Sequence, residues 1–171
     1  LRKIHECEDE KVLKFLIKNN NLARIENNRD IIKILWQCCQ IPDFSKKTYG
    51  SHIDIVKKVF EFLISNNEKV SNDYMKTQLK YLDKYDGNID TLTNRISNVR
   101  TWSYVSNKRG WVDNSDYWVE RTKNIEDKLS EKLHQELIKS FVDKRISILS
   151  KNLTQDINLV TEIKNENEVI I

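Results

Sequence analysis

Residues 90–106, DTLTNRISNVRTWSYVS, decide the fold. Leu92, Ile96, Val99 and Ser103 recur at intervals of three and four, which is helical spacing and not the alternation of a strand. Asp90 or Thr91 stands where a helix N-cap belongs. No glycine or proline interrupts the segment. Residues 90–106 therefore read as an amphipathic helix, and the rest of the chain repeats the pattern.

Upstream, EDEKVLKFLIKN (8–19) starts acidic and ends basic, as the helix dipole favours, with Val12, Leu13, Leu16 and Ile17 on one face. In IIKILWQCCQ (31–40), Ile31 or Ile32, Leu35, Trp36 and Cys39 fall at helical spacing. Pro42 stops that helix, because proline disfavours the α conformation in the residue before it. SHIDIVKKVFEFLIS (51–65) carries Ile53, Val56, Phe60 and Leu63 on one stripe. Ser71 caps a helix with Met75, Leu79 and Leu82, and DGN (86–88) is a turn. Downstream, the loop NKRGWVDNS leads into a long helix from about Asp116. Trp118, Ile125, Leu129, Leu133, Leu137 and Phe141 are spaced there mostly by four, so the stripe winds; a curved helix or a break near Ser140 accommodates it. Residues 152–171 lose the periodicity, and NLVTEI and EVII read as two short strands or a frayed end.

These segments predict an all-α irregular bundle of about six or seven helices with a strand-like or disordered C-terminal tail. The predicted organisation is a helical domain over 1–151 and a tail, or the start of a further module, over 152–171. Trp36, Phe60, Leu79, Ile96, Val99, Ile125, Leu129 and Leu133 are the expected core. Three glycines and one proline are too few for an all-β fold rich in tight turns.

Composition limits the function. In 171 residues, apolar types make up 39% and charged types 32%, which describes a globular protein with a charged exterior. The net charge is +3, from 29 basic and 26 acidic side chains, so any contact with nucleic acid must be local. Three cysteines, two of them adjacent, make a poor disulfide framework and fit reduced thiols in the cytoplasm. No apolar run approaches the ~20 residues of a membrane span. The start at Leu1 and the apolar end NEVII fit a piece of a larger protein, which would expose an apolar patch where the remainder docks.

Chemistry-bearing motifs are scarce. There is no Gly-x-x-x-x-Gly-Lys loop. DKYDGNID is no calcium loop, because Leu82 and Lys84 fall at ligand positions. His5, Cys7, Cys38 and Cys39 lack the spacing of a zinc knuckle, and the cysteines read as small buried hydrophobes. His52 and His134 read as solvated or capping. The carboxylates Glu126, Asp127, Glu131 and Glu136 alternate with lysines, as on a solvated helix face.

RTWSYVSNKRGW (100–111) stands out, with its cations and aromatics and no acid. Val99 and Val105 are expected to pack inward, Trp102 to be half packed on a flank, and Trp111 to anchor the loop near Trp118. Arg and Lys bind phosphates and aromatic faces stack on bases. Arg95, Arg100, Trp102, Tyr104, Lys108 and Arg109 are therefore the candidate residues for nucleic-acid contact or for a seam with another domain. No catalytic or metal-binding residue is assigned.

LWQCCQIPDF (35–44), the segment from Asp86 to Trp111, and RTKNIEDKLSEKLHQELIKSFVDKR (121–145) together resemble the C-terminal helical region of bacterial superfamily 2 helicases. These are similar to the ATP-dependent RNA helicase of the mitochondrial degradosome. The resemblance covers about Glu8 to Leu149. It implies an accessory domain that packs on RecA-like motor domains and helps enclose a single strand, RNA by this resemblance, while the motor holds ATP and magnesium. The fragment itself would then have no ATPase activity and no cofactor. Lys stands at many surface positions where the family has Arg, which replaces a planar fork with a point charge. The alternative is a self-standing helical protein-interaction module with no motor.

Overall fold

The computed structural model describes residues 7–19, 28–45, 49–65 and 69–167, with side chains as far as Thr154. Among these residues there are six helices: α1 (Glu8–Asn19), α2 (Arg29–Cys39), α3 (Tyr49–Ile64), α4 (Asn72–Leu82), α5 (Ile89–Asn107) and α6 (Ser115–Asn167). Among the described residues the β structure is a single parallel bridge between Val70 and Val112. The expected all-α architecture is what the chain adopts.

Local chemistry sets the helix starts. Asn28 caps α2 by accepting from the Asp30 and Ile31 N–H groups at 3.0 and 3.5 Å. Ser71 caps α4 through Asp73 N–H at 3.2 Å, as expected. α5 begins earlier than the Asp90 or Thr91 cap implied. Asn88 is the cap and accepts from both the N–H and the hydroxyl of Thr91, at 2.9 and 2.7 Å. Gly87, at φ +128°, delivers the chain into that cap, and a Cβ there would lie 2.9 Å from the Thr91 methyl. Only glycine suits the position.

The chain separates into two compact units, Leu1–Ser130 and Glu131–Ile171. In the first, α1, α2 and α3 pack together and α4 packs on α5. α5 is buried around most of its circumference: Leu92, Ile96, Val99, Thr101, Trp102, Val105 and Ser106 are all inaccessible. Phe60, Leu79, Ile125 and Leu129 join this core as expected. The first turns of α6 add Trp118, whose indole N–H donates to Asn72 at 2.9 Å, and Thr122, whose hydroxyl bonds back to the Trp118 carbonyl at 2.9 Å.

Two expected core residues lie elsewhere. Trp36 is 37% exposed, because α2 turns Leu35, Cys38 and Cys39 inward and leaves Ile32 and Trp36 outside. Leu133, in the second unit, is only half-buried. Leu137 and Phe141 are exposed, so the winding stripe ends at Leu129 and not in a break.

The strand reading of the tail is corrected as far as Asn167. α6 has no interruption at Ser140 or at 152, and NLVTEI lies inside it. β-branched residues have only a weak intrinsic preference against helix, and a helix already formed propagates through them. EVII lies outside the described residues, as does His5.

Candidate nucleic-acid interface

α5 and the turn after it hold all six candidate residues. Arg95 is inward and structural. Its Nη1 donates to the Lys84 carbonyl at 2.8 Å and to the Asp86 carbonyl, and stands 3.7 Å from the Asp86 carboxylate. It closes the loop between α4 and α5 and presents no charge to a ligand. Arg100 donates through Nε to Glu126 on α6 at 2.7 Å. Glu126 therefore belongs to a cross-helix pair and not to the solvated face that its sequence context implied.

Trp102 is 2% exposed. Its ring meets the Tyr74 ring edge-on, with centroids 5.7 Å apart. The expectation of a half-packed flank fails because α5 is covered from several directions at once. Thr101, on another side of the helix, is also buried and donates to the Pro42 carbonyl at 3.2 Å. With its faces enclosed, Trp102 cannot stack on a base. Val99 and Val105 pack inward as expected.

The surface that remains is Tyr104, Lys108 and Arg109. The Lys108 ammonium lies over the Tyr104 ring at 5.0 Å and the Trp111 ring at 5.9 Å. Arg109 is exposed and makes no hydrogen bond or ion pair among the described residues. Trp111 and Trp118 are both buried. Trp111 anchors its loop to the start of α4, where its carbonyl accepts from Val70 N–H at 2.7 Å, two residues before the Asn72 that takes the Trp118 indole N–H. The Trp118 ring lies edge-on to Tyr117 at 4.9 Å.

A second basic surface was not evident from local sequence. α4 and α6 form a groove of about 350 Å³ lined by Lys76, Lys80, Asp83, Tyr117, Trp118 and Arg121. Arg121 binds Asp83, which also accepts from the Tyr85 hydroxyl. Burial, first, and then the bond to Asp83 push the Tyr85 phenol up to about 12. These residues come together only when Asp83 and Arg121, far apart in sequence, pair across the groove.

Another groove, about 580 Å³, lies between the start of α1 and the loop after α2. Glu8, Asp9, Cys39, Asp43 and His52 line it. His52 is buried, contrary to the solvated reading, because it continues the inward stripe of Val56 and Val59. Burial holds its pKa below the ordinary 6.5, against the opposing pull of Asp43, the Ile41 backbone bond, Glu8 and Asp9. A base with a lowered folded pKa is neutral in the fold and binds more protons when unfolded, so stability rises with pH across the gap. Stability should fall as the pH drops from 6.5 toward the lower folded value. Urea midpoints at about pH 7.5 and about pH 5.5 should differ less in His52→Gln than in the parent. An equal difference in both would remove His52 as the source.

Burial also raises the Cys38 thiol to about 12 and the Cys39 thiol to about 11, so neither is a ready nucleophile. Among the described residues no group of three or more His, Cys, Asp or Glu is placed to hold a metal ion. Among them, too, no helix is long and apolar enough to cross a membrane. No family model, curated protein or solved structure matches the chain.

Proposed function

We propose that this chain is an accessory helical domain of an ATP-dependent nucleic-acid helicase, acting on RNA. One observation carries the reading: the three segments that resemble the helicase region, far apart in sequence, meet in one place. Thr101 on α5 donates to Pro42 after α2, and Arg100 on α5 pairs with Glu126 on α6. Lys108 is close enough to Cys38 for its charge to bear on that thiol. These contacts lie within the first unit, which holds the third segment as far as Ser130. The motor domains, with their ATP and magnesium, belong to the parent protein. The chain's own part is to offer Tyr104, Lys108 and Arg109 as a small basic, aromatic surface toward a single strand.

The test is titration of the intact helicase with an RNA oligonucleotide at several salt concentrations. Lys108→Ala and Arg109→Ala should each lower the salt slope by roughly 0.7, the value for one phosphate contact on a single strand. Lys76→Ala and Lys80→Ala report on the α4–α6 groove in the same way. Unchanged slopes with altered ATPase coupling would move Lys108 and Arg109 to the seam with the motor. A parent protein without a nucleotide-binding P-loop would overturn the helicase reading and leave a helical interaction module. The exposed apolar side of α6, from Leu137 to Leu153, is the observation that favours this second reading.

A further inference from the structure

The α4–α6 groove is built like the Tyr104 surface, from a held ring with cations around it. Tyr117 is 55% exposed in the first turn of α6. Its ring lies edge-on to the buried Trp118 ring, which is itself held by the bond from its indole N–H to Asn72. The Tyr117 ring is therefore packed on one side and open over more than half of its surface. Lys76 and Lys80 stand one turn apart on α4, and Arg121 stands one turn beyond Tyr117 on α6. All four line the same groove. Residues four apart share a helix face, so each wall carries its pair at one level after another.

The groove continues past Tyr117. A hollow of about 320 Å³ shares Lys76, Tyr117 and Trp118 with it. A further hollow of about 520 Å³ shares Asn72 and is lined by Lys69 and Asp113. Asp113 belongs to the loop of Lys108, Arg109 and Trp111. The hollows thus connect Tyr117 with the loop that carries the first basic surface.

Charge and shape select the occupant. Asp83 is taken by Arg121, Asp113 by Lys69, and Asp73 lies 3.8 Å from Lys76. The bond to Asp83 uses Nη2 of Arg121, and a guanidinium has further donors to give. Lys80 is exposed and makes no hydrogen bond or ion pair among the described residues. The groove sets Lys76, Lys80 and Arg121 against one carboxylate, Asp83, and so attracts an anion. Leu79 and Trp118 at its floor are both 3% exposed, which leaves no apolar pocket for the anchoring side chains of a protein partner. It offers an open ring beside cations. Every base has a π-face to stack and every nucleotide brings a phosphate. A duplex, whose bases already stack on one another, cannot use the ring.

We propose that a single strand continues from Tyr104, Lys108 and Arg109 along the α5–α6 loop into the α4–α6 groove, where a base stacks on Tyr117 and phosphates meet Lys76, Lys80 and Arg121. The proposal rests on the strand-binding part of the function proposed above and not on the motor.

The experiment is titration of the whole protein with a labelled oligouridylate, which has bases to stack and no structure of its own. Tyr117→Ala should weaken binding about tenfold, as for the loss of one stacked base, while Tyr117→Phe stays within about twofold of the parent. Lys80→Ala should lower the salt slope by roughly 0.7. Lys80 makes no bond in the fold, so its variant carries the test even where Tyr117→Ala disturbs folding. If Tyr104→Ala weakens binding and neither Tyr117→Ala nor Lys80→Ala changes it, the groove is overturned and strand binding at the first surface stands. If the parent binds no oligouridylate at low salt, both are overturned, and a groove that then takes polyglutamate belongs to an acidic segment of another protein. Tyr117→Phe as weak as Tyr117→Ala would overturn the stacking.

Discussion

Trp102→Ala should cost about 3–5 kcal/mol of folding stability, the range for truncating a large buried aromatic. The side chain is 2% exposed and holds the Tyr74 ring edge-on, so its removal opens a cavity at the centre of the first unit. Domains of this size have roughly 5–15 kcal/mol in all, so the variant should be close to unfolded at 37 °C. Chemical denaturation followed by circular dichroism measures the loss. A base-stacking Trp102 would give the opposite pattern, with intact stability and weakened strand binding. A loss under about 1 kcal/mol would contradict the packing described here.

The second large effect is expected at Arg95. Arg95→Ala removes a guanidinium that bonds the carbonyls of Lys84 and Asp86, with its side chain 17% exposed. Hydrogen bonds from a charged donor contribute about 1.5–3 kcal/mol, and the ion pair adds little because Asp86 is 84% exposed. The expected cost is about 2 kcal/mol. Arg109→Ala, on an exposed residue without partners among those described, should stay within about 0.5 kcal/mol. Urea midpoints of the two variants separate a structural arginine from a surface one. Equal midpoints would mean that the loop between α4 and α5 holds without its tie.

Helix periods were readable because each apolar side chain reports on its own turn. α1 falls on the expected residues, α4 begins after the expected Ser71 cap, and α5 differs by one residue at each end. What local spacing cannot carry is the number of directions from which a helix is covered. α5 has one apolar stripe in sequence, yet Thr101 and Ser106 are buried beside Trp102. Small hydroxyl residues give no apolar signal, although they let neighbouring elements approach closely, and their hydroxyls bond carbonyls within reach. The candidate site misled in the same way. A run of cations without acids between Asp90 and Asp113 looked unpaired, but the partners of Arg95 and Arg100 lie outside that run, on the Asp86 turn and on α6. The tail misled for a different reason. Its β-branched residues weighed toward strand, whereas the helix they continue was already established upstream.

The bridge between Val70 and Val112 has a further consequence. Next to it Lys69 pairs with Asp113 at 2.8 Å, and the Trp118 indole reaches Asn72. The chain thus leaves for α4 and returns from α5 through one fastened gate. Neither helix can fray outward alone, because each is held at the gate as well as by its neighbour. Transient opening of this region is therefore a joint event: α4, the turn at Gly87 and α5 breathe together or not at all.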